Sequence, residues 1–396
     1  MSLFTKNIDE ITFEDVEQFV ENWPEGVRVE YKKNIPSGKL PKSVASFANT
    51  LGGVLILGVN DDKQTQTRAI IGVDKRVNIT EGIYDSSVNG IYPSIVPDVK
   101  VIELPTDSNK VVVVVKISES DLAPHAVQNS TEIYVRRENI TESIELADLE
   151  RIEFLLKRRK NSEKVRDNLI GKMLDHCKID LEQARVSVKP LIQITVSPLY
   201  PYKPIIGKDQ LYKFANEYRS ERGIFFRHRS NTKRISDGVF NKLTDENCYV
   251  YNRLNDYGCL LSIQNIKEHA GDDSKNNLAL YGILNPIWNC LELVSQLYEK
   301  CDLSYKGNLL INVLIRNVLN REVLLSSGWS SDQHPSHEEQ ISLSRQLISD
   351  ELQNIHSIVK SIGKEILWAF QLASPGIDKI IDDNLRSNGF LPPLKS

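Results

Sequence analysis

The run Val-Leu-Ile-Leu-Gly-Val at residues 54–59 contains no polar side chain. A strand with one face in water alternates polar and apolar residues, so an unbroken run of this length belongs to a strand covered on both faces. Such a strand sits inside a layered fold, and its neighbours in sequence are read as the covering layers. Residues 40–51 (LPKSVASFANTL) read as a helix, with Pro41 in its first turn and Gly52 just past its end. Residues 27–33 (VRVEYKK) alternate: Val27, Val29 and Tyr31 point one way and Arg28, Glu30 and Lys32 the other, which predicts a half-buried strand with a charged outer face. Residues 12–23 predict a helix with Thr12 as cap, Asp15 closing a capping box, and Val16, Phe19, Val20 and Trp23 on its buried side. Further strands are expected at 68–73, 98–104, 110–117 and 132–137, and helices at 80–91 and 145–160. Asn60-Asp61-Asp62 reads as a turn. Together these predict an α/β (α+β) first domain, residues 1–160, with a mixed sheet and flanking helices. The charge run KRRKNSEK at 157–164 marks its expected boundary.

Residues 161–396 are expected to form a second, mixed α+β domain whose pattern names no fold. A helix is expected at 165–178 and mixed structure from 188–198. An antiparallel sheet is expected from 222–228, 247–253 and 258–263, with a hairpin turn at Tyr257-Gly258. A helix at 285–302, a strand at 307–318, a long helix at 338–370 and a loop-like tail from Pro375 complete the reading.

The net charge of −4 denies the chain a general attraction to nucleic acid, so any such binding needs a local basic patch. Five cysteines, widely spaced and without a C-x-x-C pair, argue against a cysteine-built zinc site and for buried thiols in a reducing compartment. The N-terminus lacks the basic start and apolar core of a signal peptide, and no run approaches membrane-spanning length, so a cytoplasmic location and no membrane partner are expected. No G-x-x-x-x-G-K-[ST] loop occurs. Gly52-Gly53 is read as a helix stop rather than a phosphate cradle, Asn49 as a local hydrogen-bonding residue, and His125 as a packing or surface residue.

Glu25 and Glu30 flank the start of one strand, and Gly26 permits the bend that would let them converge. Asp61 follows the carboxyl end of the buried strand, where α/β sheets place active groups. Three carboxylates gathered there would repel one another unless a hard divalent cation, Mg2+ or Mn2+, joined them, and Lys32 beside Glu30 could hold a phosphate. The same residues read equally as a solvated strand face and an ordinary turn.

EGVRVEYKK (25–33) followed by VASFANTLGGVLILGVNDD (44–62), with Ile71-Gly72-Val73, Pro124-His125 and Ile133-Tyr134-Val135-Arg136-Arg137 further on, resembles the core of Schlafen proteins and their prokaryotic AlbA-like relatives over roughly residues 10–155. The resemblance implies a nucleic-acid-processing domain. In nuclease-active members the matching positions, Glu25, Glu30 and Asp61, bind the metal used to cleave RNA, and Lys32 is the motif lysine; all four are then candidate catalytic residues. It implies a metal-dependent endoribonuclease, with tRNA as one candidate substrate and a role in antiphage defence or stress. The other reading is a non-catalytic DNA- or RNA-binding regulatory module tracking a backbone with Lys32, Lys33, Lys39, Lys42, Arg136 and Arg137. Vertebrate members carry two lobes and a cysteine-based zinc site; here one copy of the pattern occurs. Either the second half replaces the missing lobe or the protein forms a homo-oligomer, specifically a dimer; separately, the second domain is a candidate interaction domain that senses a partner.

Overall fold

In the computed structural model the chain divides into two compact units: Met1–Ser162 with Glu299–Gly307, and Glu163–Tyr298 with Asn308–Ser396. The structure describes all residues except 1–2, 37, 63–64, 66, 128–130, 138–143, 184–188, 219–231, 245–248, 267, 271–275, 302–304, 326–334, 373–375 and 393–396. The strand expected at 222–228, and Cys248, lie outside the described residues.

The first unit follows the order α1 (Phe13–Asn22), β1 (Val29–Lys32), α2 (Leu40–Ala48), β2 (Gly53–Leu57), β3 (Val59–Asp62), β4 (Thr67–Ile70), β5 (Val73–Asp74), α3 (Ile79–Gly90), β6 (Ile91–Tyr92), β7 (Asp98–Leu104), β8 (Asp107–Ile117), β9 (Ala126–Val127), β10 (Glu132–Arg136) and β11 (Ile144–Leu146). The central sheet is mixed, as predicted. β1 runs parallel to β2, β8 pairs antiparallel to β2, β5 and β7, and β10 belongs to a second sheet in the order β11-β10-β9-β6. Every residue of β2 is buried, and its alternation feeds two cores. Val54 and Ile56 join Val29, Tyr31, Val112, Val114 and the inner face of α1. Leu55 and Leu57 join Val113, Val115, Phe47 of α2 and Ile83 of α3. The sheet is thus sandwiched between helices, which is why the run at 54–59 carries no polar residue. Thr12 and Asp15 form the predicted capping box, but Trp23 is 42% exposed, stacked on Phe19.

Two sequence expectations change here. Gly58, at φ +97, ends β2, and the chain re-enters a strand at once, so Asn60-Asp61-Asp62 lies in β3, paired with Thr67–Ala69 of β4, rather than in a turn. The boundary expected at 157–164 coincides with the division between the two units at Ser162/Glu163, but the helices on either side of it are not separate. A single helix, α4 (Leu149–Gln183), runs through it and joins the helices expected at 145–160 and 165–178.

The second unit continues with β12 (Leu191–Pro198), α5 (Lys208–Glu217), β13 (Lys233–Ile235), β14 (Gly238–Thr244), β15 (Tyr249–Asn255), β16 (Leu260–Asn265), β17 (Glu268–Ala270), β18 (Asn276–Ala279), α6 (Tyr281–Glu299), β19 (Asn308–Arg316), β20 (Val323–Leu324), β21 (Gln340–Ile348), α7 (Ile355–Ala369) and α8 (Ile377–Ser387). Its main sheet is antiparallel in the order β13-β14-β15-β16-β12-β19-β21. Met173 and Cys177 of α4 pack on one face with Tyr249, Tyr251, Leu261 and Ile263, and Cys290 of α6 reaches Ser262 on the other. The β15–β16 hairpin turns at Tyr257-Gly258 as predicted, with Gly258 at φ +78. The long helix expected at 338–370 is instead β21 followed by α7, and the tail holds α8. Residues 340–348 (QISLSRQLI) alternate with period two; the Leu343–Leu347 spacing of four mimics a helix. The four described cysteines are free and buried. No helix among the described residues is long and apolar enough to cross a membrane.

Candidate nucleic-acid interface

Glu30 and Lys32 share one face of β1, as their alternation requires, but at Glu30 that face is closed to water. It lies against α2 and β10, and Glu30 is 2% exposed. Its Oε2 accepts a hydrogen bond from Arg136 Nη1 at 2.7 Å. Its Oε1 accepts from Ser43 Oγ at 3.1 Å and pairs with Lys32 Nζ at 2.8 Å. Burial, the largest single influence, pushes the Glu30 carboxyl up. The Arg136 and Lys32 cations together outweigh it and hold the group below the usual carboxylate range.

Arg136 is the centre of this arrangement. Its side chain is fully buried. Nη2 donates to Gly26 O at 2.9 Å and to Val29 O at 3.4 Å, and the guanidinium lies 3.9 Å over the Phe47 ring. Its backbone N–H donates to Thr50 Oγ1 just past the end of α2. One residue from the sheet of β10 thus ties together β1, the turn before it and α2. The expected backbone-tracking role for Arg136 is corrected: a fully buried guanidinium cannot reach a phosphate. Arg137 is exposed but pairs with Glu145 and Asp148.

Neither Glu25 nor Asp61 contacts Glu30 directly among the described residues, although Glu25 lies within electrostatic reach of Arg136. Glu25 Oε1 accepts from the Tyr31 backbone N–H at 2.9 Å, so it closes part of the edge of β1. Both carboxylates act electrostatically on the Tyr31 phenol, whose side chain belongs to the α1 face of the sheet. Burial raises that phenol, the Arg68 guanidinium opposes the rise, and Asp61 and Glu25 add to it. The structure therefore brings Glu25 and Asp61 towards Tyr31 and places Glu30 on the opposite face of the same strand. A divalent ion bridging all three does not fit this donor set, because both Glu30 oxygens already face cations. Among the described residues no group of three His, Cys, Asp or Glu side chains is placed to hold a metal ion.

What remains accessible is basic. Lys32 keeps 42% of its side chain exposed while paired to Glu30. Lys33 and Lys39 are exposed, and among the described residues no carboxylate pairs with either. Lys39 is the N-cap of α2 and supplies no side-chain cap, so the first amides of that helix have no side-chain acceptor from it. Lys42, one turn in, lies 4.5 Å from the centre of the Tyr134 ring, whose hydroxyl donates to Glu132. The Ser43–Glu30 hydrogen bond joins the start of α2 to the end of β1, and with it the two lysine pairs. Sequence reasoning named the lysines; it missed Ser43 and Tyr134, which flank named positions but carry no charge.

Asn49 and His125 are structural. Asn49 Nδ2 donates to His125 O and Tyr134 O, and His125 N–H donates back to Asn49 Oδ1. Gly52, at φ +64, takes the helix-stop role, its N–H donating to Phe47 O. A Cβ on Gly53 would sit 2.2 Å from the Phe47 ring, so that glycine serves helix-to-strand packing.

The fold and this site define a mixed-sheet domain with a buried Glu–Arg pair beneath a lysine rim. Residues 25–145 match the Schlafen, AlbA_2 family, so the first unit carries a Schlafen-type AlbA_2 domain. Among solved structures, the N-terminal domain of a protein described as an ATP-dependent DNA helicase RecG-related protein from Nitrosomonas europaea is 18% identical; the match covers 33% of this chain and 92% of that one, with a TM-score of 0.27. The two are too dissimilar for that likeness to bear on function. No curated protein matches the chain.

Proposed function

We propose that the first unit binds nucleic acid through the rim formed by Lys32 and Lys33 at the end of β1 and Lys39 and Lys42 at the start of α2. The observation that supports this reading is the local imbalance of charge. Four lysines gather on two adjoining elements, and the carboxylate placed between them, Glu30, is buried and already paired with Arg136. A chain of net charge −4 needs such a patch to hold a polyanion. The start of α2 also points the positive end of its helix dipole to the side where Lys39 and Lys42 lie. The family match of the unit supports the same reading.

The test is fluorescence anisotropy of the full chain with labelled tRNA, single-stranded RNA, single-stranded DNA and duplex DNA, with manganese or chelator, at several salt concentrations. Binding is expected to survive the chelator. Lys33→Glu with Lys39→Glu is expected to weaken every substrate about tenfold or more and to lower the salt slope by about 1 per lost phosphate contact. Equal affinity in that variant would remove the rim from the interface. Manganese-dependent cleavage, lost in Asp61→Ala with the fold intact, would replace the binding-module reading with that of an endonuclease.

A further inference from the structure

We propose that the chain forms a two-fold dimer in which β21 pairs antiparallel with β21 of a second copy, making one continuous sheet across both second units. β21 is the last strand of the seven-stranded sheet. It pairs with β19 in unbroken register over all nine residues, from Gln340 opposite Arg316 to Ile348 opposite Asn308. Among the described residues no strand lies on its outer edge.

Long open edges invite pairing, and stable monomers blunt them with short strands, bulges, proline or exposed lysine. The opposite end of this sheet is protected in that way. β13 is three residues long, Lys233 and Arg234 are exposed, and the Arg234 guanidinium lies 3.9 Å over Tyr212 of α5. β21 has none of these devices. Its exposed positions are Gln340, Ser342, Ser344, Gln346 and Ile348, all uncharged. Its one charged residue, Arg345, is engaged by Glu365 of α7. Ile348 leaves 55% of its surface in water at the strand end.

The order of residues selects a second copy as the occupant. A two-fold axis through Ser344 sets Ser344 against its own copy, Ser342 against the partner's Gln346 and Gln340 against the partner's Ile348. On the other face, Ile341 meets the partner's Leu347 and Leu343 meets the partner's Arg345. On the inner face Ile341 and Leu347 make an apolar pair and Leu343 lies beside Arg345; on the outer face serine and glutamine meet, with Gln340 beside Ile348; no like charges are opposed, as antiparallel neighbours require.

Mass measurement by light scattering at micromolar concentration is expected to give twice the 45.0 kDa of one chain. Ser344→Lys would oppose two ammonium groups across the axis, and Ser344→Asp two carboxylates; each variant alone is expected to fall to the single-chain mass. Mixed in equal amounts, the two are expected to regain the double mass, because an ammonium group then faces a carboxylate across the axis. That recovery also excludes misfolding as the cause of the loss. A wild-type chain of single mass, a double mass indifferent to both substitutions, or a mixture that stays single would each overturn the proposal.

Discussion

Arg136→Met is expected to destabilise the first unit by about 3–5 kcal/mol, because it leaves the Glu30 carboxylate buried without its main partner. The loss exceeds that of an ordinary surface ion pair for two reasons. The guanidinium is fully buried, and it also satisfies two backbone carbonyls, Gly26 O and Val29 O, in the turn that starts β1. Lys32 cannot compensate, since it contacts only Oε1 and remains part-solvated. Native-state hydrogen exchange at the amides of Val54–Leu57 reads the effect, because β2 lies beside β1 at the centre of the unit. The double variant Glu30→Leu with Arg136→Met is expected to recover much of the loss, since two apolar residues replace a buried pair at little net cost. A single variant that loses less than about 1 kcal/mol, the value of an exposed pair, would show that the pair is not a structural keystone.

Acidification from pH 6.5 to 4 is expected to remove about 3 kcal/mol from the same unit through His125 alone. His125 is 1% exposed, and burial pushes its imidazole down to about 4 from 6.5. Its Nδ1 lies 2.7 Å from Pro93 O and so donates, which raises the value somewhat; Arg159 and Arg158 lower it again. Among the described residues the buried Nε2 atom has no hydrogen-bond partner, so a second proton there would find no acceptor among them. The folded value lies below the unfolded one, so in this window the unfolded chain binds the extra proton. Stability is complete above about pH 6.5 and falls until about pH 4. Glu30, also held below its ordinary value, adds its own loss only as the pH drops under the unfolded carboxyl value and through the folded one. His125→Asn, which keeps a donor near Pro93 O, is expected to flatten the upper part of the acid-unfolding curve and leave the lower part. An unchanged curve would assign that window to other groups.

Much of the first unit was legible because its signals are local. The apolar run at 54–59, the capping box at Thr12 and the five-valine strand each encode burial on a known period, and each forms the predicted element. The second unit was harder where local signals coincide. QISLSRQLI satisfies a strand pattern and nearly satisfies a helical one, and pairing with β19 decides between them. The charge run read as a boundary does hold the division between the units, but inside one continuous helix, because lysines and arginines are good helix formers whether or not a domain ends there.

For the candidate site the division is sharper. Alternation alone puts Glu30 and Lys32 on one strand face and Tyr31 on the other, and the order of residues alone clusters lysines around the end of β1 and the start of α2. Neither says what covers that face. Arg136 arrives from 106 residues away, brings the counter-charge and turns an apparent solvated carboxylate into a buried ion pair. Among the described residues Glu25, Glu30 and Asp61 are not placed to share a metal ion: Glu30 points to the α2 face, Glu25 caps the Tyr31 amide at the edge of β1 within electrostatic reach of both Arg136 and Tyr31, and Asp61 acts on Tyr31. Periodicity fixes the direction in which a side chain leaves the backbone, and only long-range packing supplies what it meets there.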